Sequence, residues 1–482
     1  MSMRRIAMLA LLMTSACSMN PRLDIPKPPV ATHYPDATAA EPASAAAIDW
    51  RTMFGDPRLQ ALVDLALANN RDLRVSTLNV EAARAQFRVA RGAMLPQVDA
   101  NGSYTRQRIP TSTASAGIGG ATGGGTGAGA PSGFEFGQYS ANAALTSFEI
   151  DLFGRLRSQS QAAFERYLAS DEGRRSARIA LIGSVVDAYL AERLAAEQLA
   201  LTERTMADWN SSLDITRRQH EAKQVSGLEL AQAEGQVQQA AADLAAGQRA
   251  LAQAGNALQL LVGAPIPADL PAPIPLADQP IMTQLPAGLP SDLIANRPDI
   301  RQAERELVAA NADVGAARAA FFPRLSLTGL FGFTSLAFDD LFKGDNRSWS
   351  FTPQISQPIF RGGSLRGELR LAKVQKSIAI ANYEKAIQTG FREVADGLAG
   401  RATFARQLDA QRKAVDAAER RARLSDMRYR VGFDSRLELL DAQRSEYAAQ
   451  QAMLELRRQE LSSATGLYRA LGGGDEDRTP RK

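Results

Sequence analysis

The stretch that decides the fold begins with Asp151-Leu152-Phe153-Gly154-Arg155 and runs to Val262. Between Phe153 and Gly227 lie 73 residues without a proline. Within them, apolar residues recur in steps of three and four, the spacing of one helix face: Ile179, Ile182, Val186 and Tyr189. As one helix, this stretch would extend about 110 Å at ~1.5 Å per residue, whereas helices of compact domains rarely pass about 25 residues. The sequence therefore predicts a rod, a coiled coil or part of a tube.

The same order of patterns occurs twice along the chain. The intervals Asp72–Pro96 and Asp299–Pro323 both span 24 residues. Phe153–Leu228 spans 75 residues, and its counterpart Phe360–Leu437 spans 77. Each half is therefore predicted as helix, strand, loop, strand, very long helix, turn and helix, so that the chain consists of two internal repeats.

These repeats define a predicted domain plan. The first repeat covers residues 56–262 with its strand pair within 97–149, and the second covers 291–471 with its strand pair within 324–359. Residues 263–290 contain eight prolines, which exclude a helix and predict an extended crossing. The remaining segments are expected to be a signal peptide, a Pro/Ala-rich linker and a disordered charged tail: 1–16, 17–55 and 472–482.

The four predicted strands alternate apolar and polar residues, and aromatic residues cluster at their ends. Four strands are too few for a closed membrane barrel, because the smallest have ~8, and unpaired backbone groups facing lipid cost several kcal/mol each. We therefore predict a mainly α protein with a transmembrane β portion: a long antiparallel helical tunnel and four strands per chain, which form a 12-stranded barrel in a trimer. A small soluble sheet that caps a helical rod is the alternative.

The N-terminus has the pattern of an export signal. Arg4-Arg5 precede an apolar run that ends in Thr14-Ser15-Ala16-Cys17. Cys17 is the only cysteine, so an internal disulfide is excluded. The small residues before it resemble a bacterial lipoprotein box, although Thr14 stands where such boxes usually have leucine. This resemblance implies that Cys17 becomes the lipidated first residue of a protein anchored in the outer membrane.

Composition excludes several functional classes. The formal charge is +4, and the basic residues are distributed among acidic ones, so no nucleic-acid partner is expected. The two histidines, His33 and His220, are far apart, and no Cys/His cluster or nucleophile motif is present. We therefore predict that the chain is not an enzyme and needs neither a metal nor another cofactor.

Several motifs resemble those of the TolC family, and within it the NodT-type outer-membrane efflux lipoproteins. They occur in order from Trp50 to Leu471: the 151–155 stretch, Pro358-Ile359-Phe360-Arg361-Gly362-Gly363, Arg428-Tyr429-Arg430-Val431-Gly432 and Leu439-Leu440-Asp441-Ala442-Gln443-Arg444. The resemblance implies a homotrimer in the outer membrane of a Gram-negative bacterium, with a helical tunnel through the periplasm. It also implies a passive exit duct for small molecules such as drugs, joined to a periplasmic adaptor and an inner-membrane transporter of the resistance-nodulation-division type.

The same resemblance assigns functional residues at the turns between the long helices and their partners. The family's periplasmic gate corresponds to Arg428, Tyr429 and Asp441. Arg428 and Asp441 lie on either side of the turn at Gly432, so two antiparallel helices are expected to bring them close. Its adaptor-contacting tips correspond to Ala222-Lys223-Gln224 and Val431-Gly432-Phe433. Lys223 replaces the glycine expected in the first tip, so the resemblance leaves the geometry of the first turn open.

Two other functions share parts of this pattern. The outer-membrane duct of a type I protein-secretion system would have the same architecture. A structural periplasmic coiled-coil protein would have the long helices but no barrel, and the two predicted strand pairs argue against it.

Overall fold

The structure is a computed structural model that describes residues 19–31, 34, 48–110, 133–286 and 290–473. The predicted signal peptide, Cys17 and most of the predicted tail lie outside these residues. The helices of the described part are α1 Trp50–Met53, α2 Pro57–Asn69, α3 Arg71–Gly92, α4 Arg155–Glu221, α5 Gly227–Val262, α6 Pro290–Asn296, α7 Pro298–Ala319, α8 Ser364–Arg430 and α9 Arg436–Ala470. Short 3-10 turns occur at Leu276–Asp278, Phe338–Asp340 and Gly344–Asn346.

The two long helices, α4 and α8, each contain 67 residues. At about 1.5 Å per residue each extends roughly 100 Å, which confirms the prediction of one uninterrupted helix in each half. The helices that follow them, α5 and α9, contain 36 and 35 residues. None of the helices in the described part is long and apolar enough to cross a lipid bilayer.

The prediction was wrong where it placed one helix before each strand pair. The structure has two helices in each place, which are separated by Asn70 in the first half and by Arg297 in the second. Asn70 is extended, and its side-chain oxygen accepts a hydrogen bond from the Leu73 amide at 2.9 Å, so it caps α3. Arg297 precedes Pro298, whose ring disfavours the helical conformation of the preceding residue.

The strands form one antiparallel sheet in the order β1-β2-β3-β4, with β1 Val98–Pro110, β2 Gly133–Ile150, β3 Arg324–Ser335 and β4 Arg347–Ser356. They lie in a compact unit made of residues 1–24, 83–166 and 307–379. In this unit the ends of α3 and α7 lead into β1 and β3, and β2 and β4 lead into α4 and α8. The helices therefore join one end of the sheet, and the β3–β4 connection lies at the other end.

The strand register gives the sheet one mostly apolar face and one mostly polar face. Paired residues share a face, and alternate residues along a strand point to the same side. The apolar face carries Val98, Tyr104, Tyr139, Leu145, Phe148, Ile150, Leu325, Leu327, Phe331, Phe333, Trp349, Phe351 and Ile355. The polar face carries Asp99, Asn101, Ser103, Ser140, Asn142, Ser326, Thr328, Thr334, Ser348, Ser350, Thr352 and Gln354.

A bulge in β2 keeps the apolar face continuous. The register with β3 shifts between Leu145 and Phe148, and Ser147 adopts a positive φ of 56°. Since successive side chains alternate sides, one extra residue restores Phe148 to the face of Leu145. Without the bulge, Phe148 would point to the polar side.

The second compact unit comprises residues 25–82, 167–306 and 380–482, and its core surrounds α1. Trp50, Met53 and Phe54 are fully buried there. Asp56 is buried beside them, where it accepts hydrogen bonds from the Tyr189 hydroxyl at 2.7 Å and from Gln279 Nε2 at 3.0 Å. The extended crossing is thereby attached to both α2 and the long helix α4. Burial, together with the carboxylate of Asp56, raises the pKa of Tyr189, so this hydroxyl remains a donor.

Each short helix pair is attached to the end of a longer helix in the same way. Asn70 Nδ2 donates to the Leu261 carbonyl at 2.8 Å, and Arg297 Nη1 donates to the Ala470 carbonyl at 3.0 Å. The chain leaves α5 through Gly263 at φ 72° and leaves α9 through Gly472 at φ 80°.

We predict that Gly263→Ala destabilises the protein by about 2 kcal/mol, because a left-handed backbone costs a non-glycine residue roughly 1–2 kcal/mol. The added Cβ would also lie 2.6 Å from the Asn69 carbonyl oxygen. The matched control is Gly255→Ala, in the interior of α5 with no atom within 4 Å of the added Cβ. The control should leave stability unchanged or raise it slightly. Thermal unfolding of the two variants measures the difference, and equal midpoints would contradict the prediction.

Candidate functional site: the two turns that follow the long helices

The turns after α4 and α8 have the same backbone geometry. Lys223 has φ 58° and Gly432 has φ 82°. The amides of Lys223 and Gln224 donate to the carbonyls of His220 and Gln219, and those of Gly432 and Phe433 donate to Tyr429 and Arg428. These paired bonds, over three and five residues, form the Schellman ending of a helix. The first turn keeps this geometry without the expected glycine, because Lys223 adopts the left-handed conformation that glycine favours.

Each turn is followed at once by a capped helix. The Ser226 hydroxyl accepts a hydrogen bond from the Glu229 amide at 3.3 Å, and the Ser435 hydroxyl accepts one from the Glu438 amide at 3.3 Å. Both sequences have the Ser-x-x-Glu spacing of a capping box. This spacing could have located both helix starts from the sequence to within one residue.

The gate residues predicted from the sequence lie close to the second turn but do not pair as expected. Arg428 Nε donates to Asp434 Oδ1 at 2.8 Å, and Arg421 Nη2 donates to Asp441 Oδ2 at 2.7 Å. Arg428 and Asp434 lie three residues on either side of Val431, and Arg421 and Asp441 lie ten residues on either side. In an antiparallel helix pair, residues equally distant from the turn face each other, so the expected contact between Arg428 and Asp441 is out of register.

Sequence reasoning missed the basic member of this pair. Arg421 also donates to Glu438 Oε1 at 2.8 Å, so one guanidinium joins two carboxylates across the helix pair. The hydrogen bonds that Arg421 donates to Glu438 and to Asp441 raise the pKa of its guanidinium, which stays charged at any physiological pH. In the single chain these groups are well exposed. Counting outward from the turn would have identified Arg421 as the residue opposite Asp441.

Tyr429, the third predicted gate residue, packs against a buried cation. The guanidinium carbon of Arg436 lies 5.4 Å from the centre of the Tyr429 ring, within the range of a cation–π contact. Arg436 is only 4% exposed, and burial lowers its pKa despite the nearby negative charge of Glu229 and Asp426. The aromatic face of Tyr429 thus helps to hold a poorly hydrated cation between the two helix pairs.

The two predicted tips differ in their exposed chemistry. The first tip exposes the polar side chains of Lys223 and Gln224, and the second exposes Val431 and Phe433, the latter to 77%. Further apolar side chains close to the second turn are also exposed: Leu424, Met427 and Leu437. The second turn therefore presents an apolar surface that could pack against a helical partner.

Comparison with known proteins assigns the fold to a class. Residues 62–264 and 289–473 match the family model named outer membrane efflux protein. The chain is 45% identical over 469 residues to the probable efflux pump outer membrane protein TtgC of Pseudomonas putida, with 96% of this chain and 94% of TtgC covered. It is 41% identical over 475 residues to the outer membrane protein OprJ of Pseudomonas aeruginosa, with 98% and 96% covered.

The fold of the chain is also similar to that of a solved outer-membrane channel. The open state of the MtrE outer membrane channel of Neisseria gonorrhoeae aligns with a TM-score of 0.82 at 38% identity, over 95% of this chain and 98% of MtrE. Two 67-residue helices and one four-stranded antiparallel sheet are thus the architecture of outer-membrane efflux channels. The chain belongs to the outer membrane efflux protein family, and the identification made from its motifs is confirmed.

The left-handed conformation of the two turn residues generates a paired prediction. Replacing Lys223 with glycine should stabilise the first turn by about 1 kcal/mol, and replacing Gly432 with alanine should weaken the second by about as much. Hydrogen exchange of the Gln224 and Phe433 amides reports each turn directly, because both amides donate within it. Exchange should slow roughly fivefold at Gln224 and speed up roughly fivefold at Phe433. Gly235→Ala, in the open interior of α5, is the control and should change neither amide. Faster exchange at Gln224 in Lys223→Gly would contradict the geometry.

Proposed function

We propose that this chain forms the passive exit duct of a tripartite efflux pump, which carries small toxic molecules across the outer membrane of a Gram-negative bacterium. The observation that carries the proposal is the two-faced, four-stranded sheet joined to two very long helices, in a chain of the outer membrane efflux protein family. Its relatives are named as efflux pump proteins, which favours efflux over protein secretion or a structural spacer role.

The proposed assembly is a homotrimer with a 12-stranded barrel. Among the residues that the structure describes, β1 and β4 are the outer strands of the sheet, and each pairs with one neighbour. Lipid offers no hydrogen bonds to such edges, so β4 of one chain is expected to pair with β1 of the next. The apolar face then contacts lipid, and the polar face lines the channel.

The proposed domain plan retains the two repeats, 56–262 and 291–471. The equal lengths of α4 and α8, the matching Schellman turns and the matching attachments at Asn70 and Arg297 support it. A duplicated unit also explains how one chain supplies two strand pairs to the barrel. The extended crossing, residues 263–290, joins the repeats, and residues 17–55 connect the first repeat to a lipid anchor at Cys17.

The proposed partners are a periplasmic adaptor and an inner-membrane transporter, with outer-membrane lipid around the barrel. The adaptor is expected to contact the tips, Ala222-Lys223-Gln224 and Val431-Gly432-Phe433. The polar first tip and the apolar second tip would give the adaptor two distinguishable docking surfaces. Relatives named for the efflux of toluene and of antibiotics favour small apolar or amphiphilic cargo.

The proposed gate lies at the second turn. The proposed gate keeps Arg428, Tyr429 and Asp441. It also includes the residues that contact them or share their partners in the chain: Arg421, Glu438 and Asp434. The link from Arg421 to Asp441 joins α8 to α9, so both helices must move together or the link must break. Repetition in three subunits would hold the tunnel entrance closed until a partner disrupts the links.

Mass spectrometry of the purified protein tests the assembly and the anchor. We expect the native mass of a trimer in mild detergent, in which each subunit begins at Cys17 and carries acyl chains. The mass of the N-terminal peptide tests the anchor independently of the trimer, because acylation can be detected on a denatured single subunit. A stable, lipid-inserted monomer would reject the trimer, and an unmodified N-terminus would reject the anchor.

Single-channel recording tests the gate. Asp441→Ala and Arg421→Ala should each increase the open probability of the trimer in planar bilayers several-fold, because each breaks the link between α8 and α9. Asp409→Ala is the matched control, since it removes an exposed carboxylate of α8 that pairs with Lys413 along the same helix. The gate proposal fails if both gate variants assemble as trimers and conduct like the parent and the control.

A further inference from the structure

The connection between β3 and β4, residues 336–346, exposes an unusual amount of apolar surface for a loop. Leu336, Phe338 and Phe342 are 70%, 65% and 69% exposed, whereas Leu341 is only 5% exposed. The loop lies at the end of the sheet remote from the helices. A short loop surrounded by water would not be expected to present three large apolar side chains together.

The loop folds back onto the apolar face of the sheet. The Phe338 ring lies 5.5 Å from the Tyr139 ring, and the Phe342 ring lies 5.6 Å from the Phe333 ring, both edge to face. Tyr139 and Phe333 belong to the apolar face by their strand register. The side chains of Phe338 and Phe342 therefore extend the apolar face beyond the end of β3.

Part of the polar backbone of the loop is hydrogen-bonded within the loop itself. The amides of Asp340, Leu341, Lys343 and Asn346 donate to carbonyls of the loop itself, and the Ala337 amide donates to the Ser335 hydroxyl. Asn346 Nδ2 donates to the Asp340 carbonyl at 2.7 Å, and the Lys343 ammonium pairs with the Asp340 carboxylate. Backbone groups that are already paired reduce the cost of placing a segment against lipid.

We propose that this loop is a membrane-surface element, which inserts Leu336, Phe338 and Phe342 among the lipids of the outer leaflet. The inference rests on the proposed function, because it requires the apolar face of the sheet to face lipid. Aromatic side chains suit the interface between acyl chains and headgroups, and Tyr104, Tyr139 and Trp349 lie near the same end of that face. The loop would thus anchor the rim of the barrel to the membrane surface and leave the pore mouth uncovered.

Quenching of tryptophan fluorescence by lipid brominated near the headgroup end of its acyl chains tests this placement. The chain has three tryptophans, of which Trp50 and Trp209 are buried in the core of the second unit, and Trp349 is 73% exposed on the apolar face. In the full-length protein in vesicles, brominated lipid should quench Trp349, and Trp349→Phe should remove that quenching.

Adding Phe342→Trp to Trp349→Phe should restore at least half of the lost quenching. The matched control adds Ser350→Trp to Trp349→Phe, which places the ring on the polar face beside the original site. That control should respond to aqueous acrylamide and not to brominated lipid. Trp349→Phe in β4 and Phe342→Trp in the loop each replace one aromatic ring with another, so both variants should keep the fold.

The quenching results test the placement of the loop and the lipid-facing sheet separately. If the indole introduced by Phe342→Trp responds to acrylamide but not to brominated lipid, the loop faces water and the inference fails. If that indole responds to neither quencher, the loop is covered by protein, and the inference also fails. In both cases quenching of Trp349 in the parent would leave the lipid-facing sheet intact. Absence of Trp349 quenching in the parent would instead reject the proposed barrel and the loop placement with it.

Discussion

A helix of 67 residues depends on lateral packing along its whole length. The stability of a helix in water comes mostly from burial of one apolar stripe rather than from helix propensity, and α4 and α8 are each roughly 100 Å long. The buried residues Ile179, Ile182 and Val186 form part of such a stripe on α4, and Ile387, Val394 and Leu398 do so on α8. Each long helix therefore needs antiparallel partners beside it, and the turns and junctions of the chain serve that need.

The turns and junctions at the ends of the long helices follow from the packing of each long helix against an antiparallel partner. At one end, a Schellman turn and a serine cap reverse the chain within about five residues, which brings α4 beside α5 and α8 beside α9. The reversal also fixes which charges meet, so Arg421 contacts Asp441 and Arg428 contacts Asp434. At the other end, β2 and β4 lead directly into the long helices.

Much of this architecture was predictable because its signals are local. Steps of three and four residues mark the long helices, and alternation marks the four strands, whose observed bounds differ from the predicted ones by a few residues. The helix breaks at Asn70 and Arg297 were missed, although an asparagine cap and a following proline are recognisable signals. The contacts of the predicted gate residues within the chain were also missed, although equal distance from the turn indicates them: Arg421 contacts Asp441, and Arg428 contacts Asp434.

The sequence by itself determined the class of protein, the two long helices, the strand pairs and the neighbourhood of the candidate gate. These depend on interactions between residues close in the chain, and on motifs that a family shares. Only the tertiary structure decided that Lys223 adopts a left-handed conformation, that Arg421 binds Asp441, and that a bulge at Ser147 keeps Phe148 on the apolar face. It also decided that the β3–β4 loop folds onto that face. The charge pairing, the bulge and the loop contact depend on how separate segments align, and a shift of one residue in a strand or a helix pair would change them. The turn at Lys223 is local, but its sequence lacks the glycine that usually marks this conformation.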